Sequence, residues 1–475
     1  MEPRRHVGHH VRVSHLQTIS FRQAALGVVA LAVLIHGQAI GHEFTWNDGT
    51  NILANEALTE VSNIPSFFVE AWGADAEDAT YRDRNSQYWR PVPMALWTLE
   101  AAVFGLSPAP FHAVNVLLHA LTALLLLLFA WRLLPAAGAG RVGVLLGVTA
   151  WTVHPVHSEV VHVVSYGSDL LAGLFTMACL AVWLGPEGRS ARRGRVDRNL
   201  VVPLLFALGV GSKEMAVTIP VLIGGLDLCL LPATVRLSER VRRLAPVGLV
   251  LLCYFALRAA LLGGGGQDFY AGAGPEVVLF SILDVISLYG RLLVVPWPLS
   301  PFYDWSALPP QATLFAVGPL LGLLLVVSCC AFGAWLWRRD RRLVFLVVLP
   351  WVVWIPVSHI VPIIIAAADR FLYVAAAGPL LLAAVAAARS THAARWLTVM
   401  SLVVACHAGL TLVRGADWRD DRTILEATVR DWPTSFNAWY GLATLHAREG
   451  RTAEAEAIWK RIGVSPTGAQ GSGSE

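Results

Sequence analysis

Charged side chains are scarce in this chain. Asp, Glu, Lys and Arg make up only 15% of its 475 residues, against about 25% in a soluble domain. A water-soluble enzyme is excluded on that ground. Lysine is scarcer still: Lys213 and Lys460 are the only two, although Lys and Arg together number 36. Net charge is +3, and no Lys/Arg-rich segment is interleaved with aromatics, so nucleic acid is not an expected partner. The cysteines (Cys179, Cys229, Cys253, Cys329, Cys330 and Cys406) all fall inside apolar runs. No CxxC or Cys/His spacing suggests zinc. They read as small packing residues, and no disulfide framework is expected.

What fills the chain instead is apolar. Hydrophobic residues reach 56% and mean hydropathy is +0.57, gathered in blocks such as 117–130 and 320–337. This predicts an all-α polytopic membrane bundle. The polar, basic start (1–23) precedes an apolar run too long, and too poor in small residues at its end, for a signal peptide. It is taken as cytoplasmic, followed by a first span. Spans are expected near 24–41, 112–133, 142–155, 160–184, 200–211, 215–231, 244–262, 311–337, 343–365, 370–388 and 396–414. Several are shorter than the ~20 residues a straight crossing needs. Residues 92–105 read as re-entrant or interfacial.

Arginine clusters near 132–141, 189–198, 236–243, 338–342 and 389–395 define one side, cytoplasmic by the positive-inside rule. The opposite side then receives the loop 42–91 and the segments around 154–159, 212–214, 263–275, 300–311 and 369–370. Residues 277–299 would break this parity as a span. Asp284, Ser287 and Arg291 share one helical face, so an amphipathic segment at the outer interface is expected. An odd count of about eleven spans puts the C-terminus outside. Residues 417–463 are polar, and Trp439, Leu442, Ala443, Gly450, Ala455 and Trp459 fit a tetratricopeptide helix pair. Roughly one and a half repeats are present where about three are usually needed, so this tail must pack on the membrane domain or on a partner. Residues 464–475 read as flexible.

The outer side gathers the ionisable residues. Asp48, in Trp46-Asn47-Asp48-Gly49, sits at the end of the first span, where partial desolvation raises a carboxyl pKa and suits a general base. Asn-Asp-Gly is also an ordinary turn. Further along come Glu70, Arg90, the face formed by His112, Asn115 and His119, the run His154-Pro-Val-His157-Ser-Glu159, Asp169, Lys213-Glu214 and Asp369-Arg370. Ionisable groups at such depth are costly and usually functional; the bland alternative is a polar network joining helices. Pro155 argues against helical metal-ligand spacing at His154–Glu159. Lys213 suits a phosphate diester or an ion pair with Glu214. Arg370 offers a planar phosphate ligand or a plain pair with Asp369.

The ordered motifs Trp46-Asn-Asp, Glu70-Ala-Trp-Gly, Tyr88-Trp-Arg-Pro, Phe111-His-Ala-Val-Asn115, His154-Pro-Val-His-Ser-Glu159, Ser212-Lys-Glu214, Pro298-Leu-Ser-Pro-Phe-Tyr303 and Asp369-Arg-Phe-Leu-Tyr373, with the helical tail, resemble the transmembrane and tetratricopeptide-containing O-mannosyltransferases. The resemblance runs from about Trp46 to Trp459. Each motif is weak alone; the order makes them specific. It implies a GT-C fold and an inverting transfer of a sugar, mannose in that family, from a polyprenyl-phosphate donor to a hydroxyl on the extracytoplasmic face. It implies catalytic roles for Asp48 and Glu70 and donor-phosphate contacts from Lys213, Arg370 and Arg90. Asn47, His154, His157, Glu159, Asp169, Glu214 and Asp369 would line the pocket.

No metal site is expected and no cofactor beyond the lipid-linked sugar as co-substrate, with a divalent cation left open. Partners would be the membrane lipid donor, an acceptor protein or glycan, and a protein docked on the tail. The short tail suggests a bacterial inner-membrane protein. Two departures stand out. Asn47 replaces the first member of the family's acidic pair, and Tyr166-Gly167-Ser168 stands where relatives carry an Arg. A slow, degenerate enzyme is therefore one alternative. A non-catalytic transporter or scaffold for envelope glycans is another, although no inverted repeat of interrupted helices is evident.

Overall fold

The computed structural model describes residues 19–72, 88–134, 138–186, 188, 190–262, 269–361 and 363–464. The readings for 1–18, 73–87, 263–268 and 465–475 fall outside them. The described chain is helical, without strands. Its main elements are α1 (Phe21–His36), α2 (Pro91–Phe104), α3 (Pro108–Leu133), α4 (Ala139–Thr152), α5 (Gly167–Leu184), α6 (Val202–Val210), α7 (Ile219–Leu230), α8 (Leu237–Leu261), α9 (Pro275–Val294), α10 (Val317–Trp337), α11 (Arg341–Trp354), α12 (Ala377–Arg389), α13 (Ala393–Asp417), α14 (Asp421–Asp431), α15 (Phe436–Arg448) and α16 (Thr452–Arg461).

Local chemistry sets these boundaries. Ser20 and Gln23 form a reciprocal capping box that opens α1. Proline begins α2, α3 and α9, where its missing N–H costs no helical bond. Gly105, at φ +64°, ends α2 in a conformation that favours glycine.

Among the described residues, seven helices are long and apolar enough to cross a membrane, and a bent pair over Asp369–Ala375 and Ala377–Arg389 brings the number to eight. The larger sequence count rests on short helices such as α4, α6, α7 and α11, which are 9 to 14 residues long. Helix α9 qualifies by length and composition, yet both its ends are tied to the same end of the bundle. Phe269 N–H, just before it, bonds Ile363 O, and Tyr289 Oη near its other end bonds Ala368 O at 3.3 Å.

The bundle has two chemically different ends. At one, Arg132 donates to Ala181 O at 2.7 Å, Arg243 pairs with Asp227 at 2.8 Å and Arg389 pairs with Asp340 at 2.8 Å. The motif residues collect at the other. Helices α3 and α5 run through the buried centre, whereas α8, α10 and much of α13 present leucines, valines and aromatics outward. Of the six cysteines, only Cys179 is buried; Cys253, Cys330 and Cys406 lie on that outward surface.

Helices α4 and α12 approach through small residues. Gly143 and Gly147, four apart, face Ala384 and Ala388, also four apart, the small-xxx-small contact of membrane helices. A Cβ on Gly143 would lie 2.7 Å from Ala388 Cβ and 2.9 Å from Ala384 O. Gly143→Ala should therefore destabilise the protein by about 1–3 kcal/mol through overpacking, read by thermal unfolding in detergent. Gly27→Ala, with no atom within 4 Å of the added Cβ, should not.

The tail docks onto the bundle. Asp420 and Ser435 cap α14 and α15. Trp432 Nε1 donates to Leu299 O at 3.2 Å, and Asp304 accepts from Ser435 Oγ at 2.8 Å and Asn437 N at 2.9 Å. Leu442 and Ala443 of α15 and Ala455 of α16 are buried.

Candidate active site

The loop after α1 turns sharply at Trp46, a non-glycine residue at φ +61°. Asp48 N–H closes the turn on Thr45 O at 3.0 Å. That turn has Trp46 and Asn47 at its centre, whereas Asp48-Gly49, expected as turn residues, lead into a short helical stretch, Gly49–Leu53. The Asp48 side chain, moreover, does more than sit in a turn. Its Oδ1 accepts Ser165 N–H at 2.7 Å, and its Oδ2 accepts Val164 N–H at 3.0 Å and Thr45 N–H at 3.2 Å. Three of its roughly four acceptor positions are thus taken by main chain. Asp48 is fully buried. Burial pushes its carboxyl up to about 6, against the opposing pull of those N–H donors. Asn47, by contrast, is exposed and donates from Nδ2 to Tyr166 Oη at 3.2 Å.

The neighbouring charges form a chain of pairs. Arg370 bonds Glu159 twice, through its backbone N at 2.7 Å and through Nη1. Its guanidinium lies 4.4 Å over the Tyr166 ring. Tyr166, the first residue of the Tyr166-Gly167-Ser168 stretch, is therefore the face on which an arginine from a distant segment rests. Lys213 Nζ pairs with Asp169 at 2.6 Å, both side chains buried.

Two pairings read from adjacency are corrected here. Lys213 does not pair with Glu214: its backbone is extended, φ −161° and ψ 149°, so consecutive side chains point to opposite sides. Glu214 instead receives Arg90 Nη2 at 2.9 Å and Nε at 3.3 Å, with Arg258 3.8 Å away. Nor do Asp369 and Arg370 pair with each other, because Asp369 accepts Tyr303 Oη at 2.6 Å.

Arg90 also lies 4.4 Å over Tyr88 and 5.9 Å from the Trp72 ring. Glu70 is half-buried two residues before Trp72. Asp169, Gly173, Thr176, Thr218, Arg370 and Tyr373 help enclose a cavity of about 20 Å³, room for one water. A larger cleft of about 490 Å³ between α1 and α4 is lined by Gln23, Gly27, Leu145 and Thr149 among others, and by no ionisable residue.

The histidines serve several ends. Asn115 donates to Val163 O at 3.0 Å, and His119 bonds Thr152 O at 3.0 Å and Tyr373 Oη at 3.1 Å. That helical face works as a network joining segments. His154 donates to Leu293 O at 3.3 Å. His157 lies between the rings of Trp151 and Tyr373. His154, His157 and Glu159 are thus aimed at different partners. Among the described residues no group of three or more His, Cys, Asp or Glu is arranged to hold a metal ion.

Sequence reading passed over Arg258 and Arg414. Arg258 is one-third exposed at the motif end of α8. Buried Arg414 pairs with Asp417 at 3.1 Å. Both are charges inside or at the end of an apolar run, the signal that ionisable residues in a span give.

The chain is similar to several curated proteins. It is 28% identical over 328 residues to protein O-mannosyl-transferase Tmtc1 of Drosophila melanogaster, covering 62% of this chain and 36% of that protein. To protein O-mannosyl-transferase F38B6.6 of Caenorhabditis elegans it is 22% identical over 455 residues, covering 93% and 62%. To human protein O-mannosyl-transferase TMTC4 it is 22% identical over 498 residues, covering 91% and 65%. The chain thus spans between about a third and two thirds of these relatives' length. No family model and no solved structure matches it.

Breaking one charge pair tests how far the cluster supports the fold. Asp169→Asn leaves a buried ammonium without its counter-charge and should cost about 3–5 kcal/mol in thermal unfolding. The double variant Lys213→Met/Asp169→Leu removes both charges and should lose much less.

Proposed function

We propose that this chain, a homologue of the TMTC-type protein O-mannosyl-transferases, is an integral-membrane glycosyltransferase of GT-C type. It would move mannose from a polyprenyl-phosphate donor to an acceptor hydroxyl on the extracytoplasmic face, with the C-terminus on that face. The observation that carries this reading is a buried carboxyl at Asp48 held by the Val164–Ser165 turn, next to Tyr166, on whose ring the Arg370 guanidinium rests. The tail, read as tetratricopeptide-like, would gather the acceptor, a protein or a glycan, on the same side.

In this mechanism the acceptor oxygen attacks the anomeric carbon from the face opposite the phosphate, inverting the configuration. The bond from that carbon to the phosphate oxygen breaks, and its electron pair leaves with the lipid phosphate. Asp48 takes the acceptor's proton, and Glu70 supports the acceptor side. Cations stabilise the charge that accumulates on the leaving group. Lys213 and Arg370 act from within their pairs with Asp169 and Glu159, while Arg90 and the more open Arg258 flank Glu214. Since Asp48 is closed to solvent, the acceptor reaches it only when the 45–48 loop and the 164–166 turn separate, a gating step of the kind many enzymes use.

Transfer of labelled polyprenyl-phosphate mannose in membrane vesicles tests the base. Asp48→Asn should lower turnover by about 10²–10⁴-fold, the range for loss of general-base catalysis. A base must be ionised to accept a proton. With the Asp48 carboxyl at about 6, the rate should be flat above that pH and fall about tenfold per unit below it. An unchanged rate in Asp48→Asn removes this residue from the mechanism.

One observation favours a second reading, a slow enzyme. Position 47 is exposed whereas position 48 is closed, and 47 is where the resembled family carries its other carboxylate. Asn47→Asp should then raise the transfer rate. A rate equal to or below that of the unaltered chain would discard the slow-enzyme reading and leave Asp48 as the sole base.

A further inference from the structure

Trp46 lies two residues before Asp48 in a backbone conformation, φ +61°, that bulky side chains rarely adopt. Such a conformation persists only where its surroundings over-determine it, and here many of those surroundings come from the tail. The Trp46 N–H donates to Asp421 Oδ1 at 2.6 Å. Three residues earlier, Glu43 N–H donates to Arg419 O at 3.0 Å. The Trp46 ring lies 4.2 Å from that of Phe302 and 6.4 Å from that of Trp418. Asp421 is not needed to cap its own helix, because Asp420 already accepts Thr423 N–H at 2.8 Å. Its carboxylate is turned out of α14 and onto the loop.

We infer that Asp421 is a positioning residue: through the Trp46 N–H, the tail fixes the bend that presents Asn47 and aims Asp48 at Val164 and Ser165. The tail is then a working part of the catalytic loop, whatever it also binds. This rests on the reading of the 46–48 loop as catalytic, and the test separates the two ideas.

The full chain in membrane vesicles, with labelled polyprenyl-phosphate mannose, is compared with Asp421→Ala and Asp421→Asn. The asparagine variant keeps an oxygen that can accept the Trp46 N–H. Asp421→Ala should lose at least tenfold in kcat with the donor KM within threefold, and Asp421→Asn should stay within threefold of the unaltered chain in both. A second arm needs no activity. With the native cysteines replaced by serine, the labelling rate of Asn47→Cys by a membrane-impermeant maleimide should change at least threefold on adding Asp421→Ala, and not on adding Asp421→Asn. An unaltered labelling rate in the alanine variant overturns the inference, as does an asparagine variant as impaired as the alanine one. If the unaltered chain transfers no sugar, the function proposed above falls and the labelling arm alone decides the role of Asp421.

Discussion

One carboxylate joins parts of the chain that are more than a hundred residues apart. Asp48 gathers N–H groups from its own turn and from the turn at 164–165 that leads into α5. Those groups would otherwise be buried donors without acceptors, each of which carries a desolvation penalty. Opening the outer loop away from that turn, as the proposed gating step requires, therefore carries the cost of exposing or leaving unpaired these main-chain donors. Tyr166, the next residue, carries both the Asn47 contact and the Arg370 guanidinium, and Arg370 in turn holds Glu159. Loop position, cation position and the start of the central helix are thus one mechanical unit.

Much of the architecture was legible because it depends on composition. Apolar blocks predict helices whatever they pack against, and the proline and glycine punctuation marks their limits. The placement of the motif residues at one end was legible for a similar reason, since arginine clusters label the other. The apolar length of α9 pointed to a crossing helix and its polar face to an interfacial one; both its ends are tied to one end of the bundle, and sequence length alone carries no such information.

Pairing was not legible. Lys213 and Glu214 are adjacent, yet an extended backbone sends them apart, and the ammonium meets a carboxylate 44 residues away. Asp369 and Arg370 likewise separate onto Tyr303 and Glu159. Such partners are chosen by helix packing, which neighbouring letters do not encode. The contact between α4 and α12 went unread, although the four-residue spacings of Gly143/Gly147 and Ala384/Ala388 carry a signal for it. The bond from Asp421 to Trp46 had none, since a single acidic residue in the first turn of a surface helix has a sufficient local explanation.

The distance along the chain between Glu159 and Arg370, 211 residues, has a consequence for biogenesis. When the ribosome has delivered Glu159 to the membrane, its guanidinium partner has not yet been made. Short α6 and α7, 9 and 12 residues long, follow with Lys213 between them, and neither is long enough to settle alone in a bilayer. The Lys213–Asp169 pair is complete in sequence by residue 213, whereas the Glu159–Arg370 pair can close only once the chain has been made through residue 370.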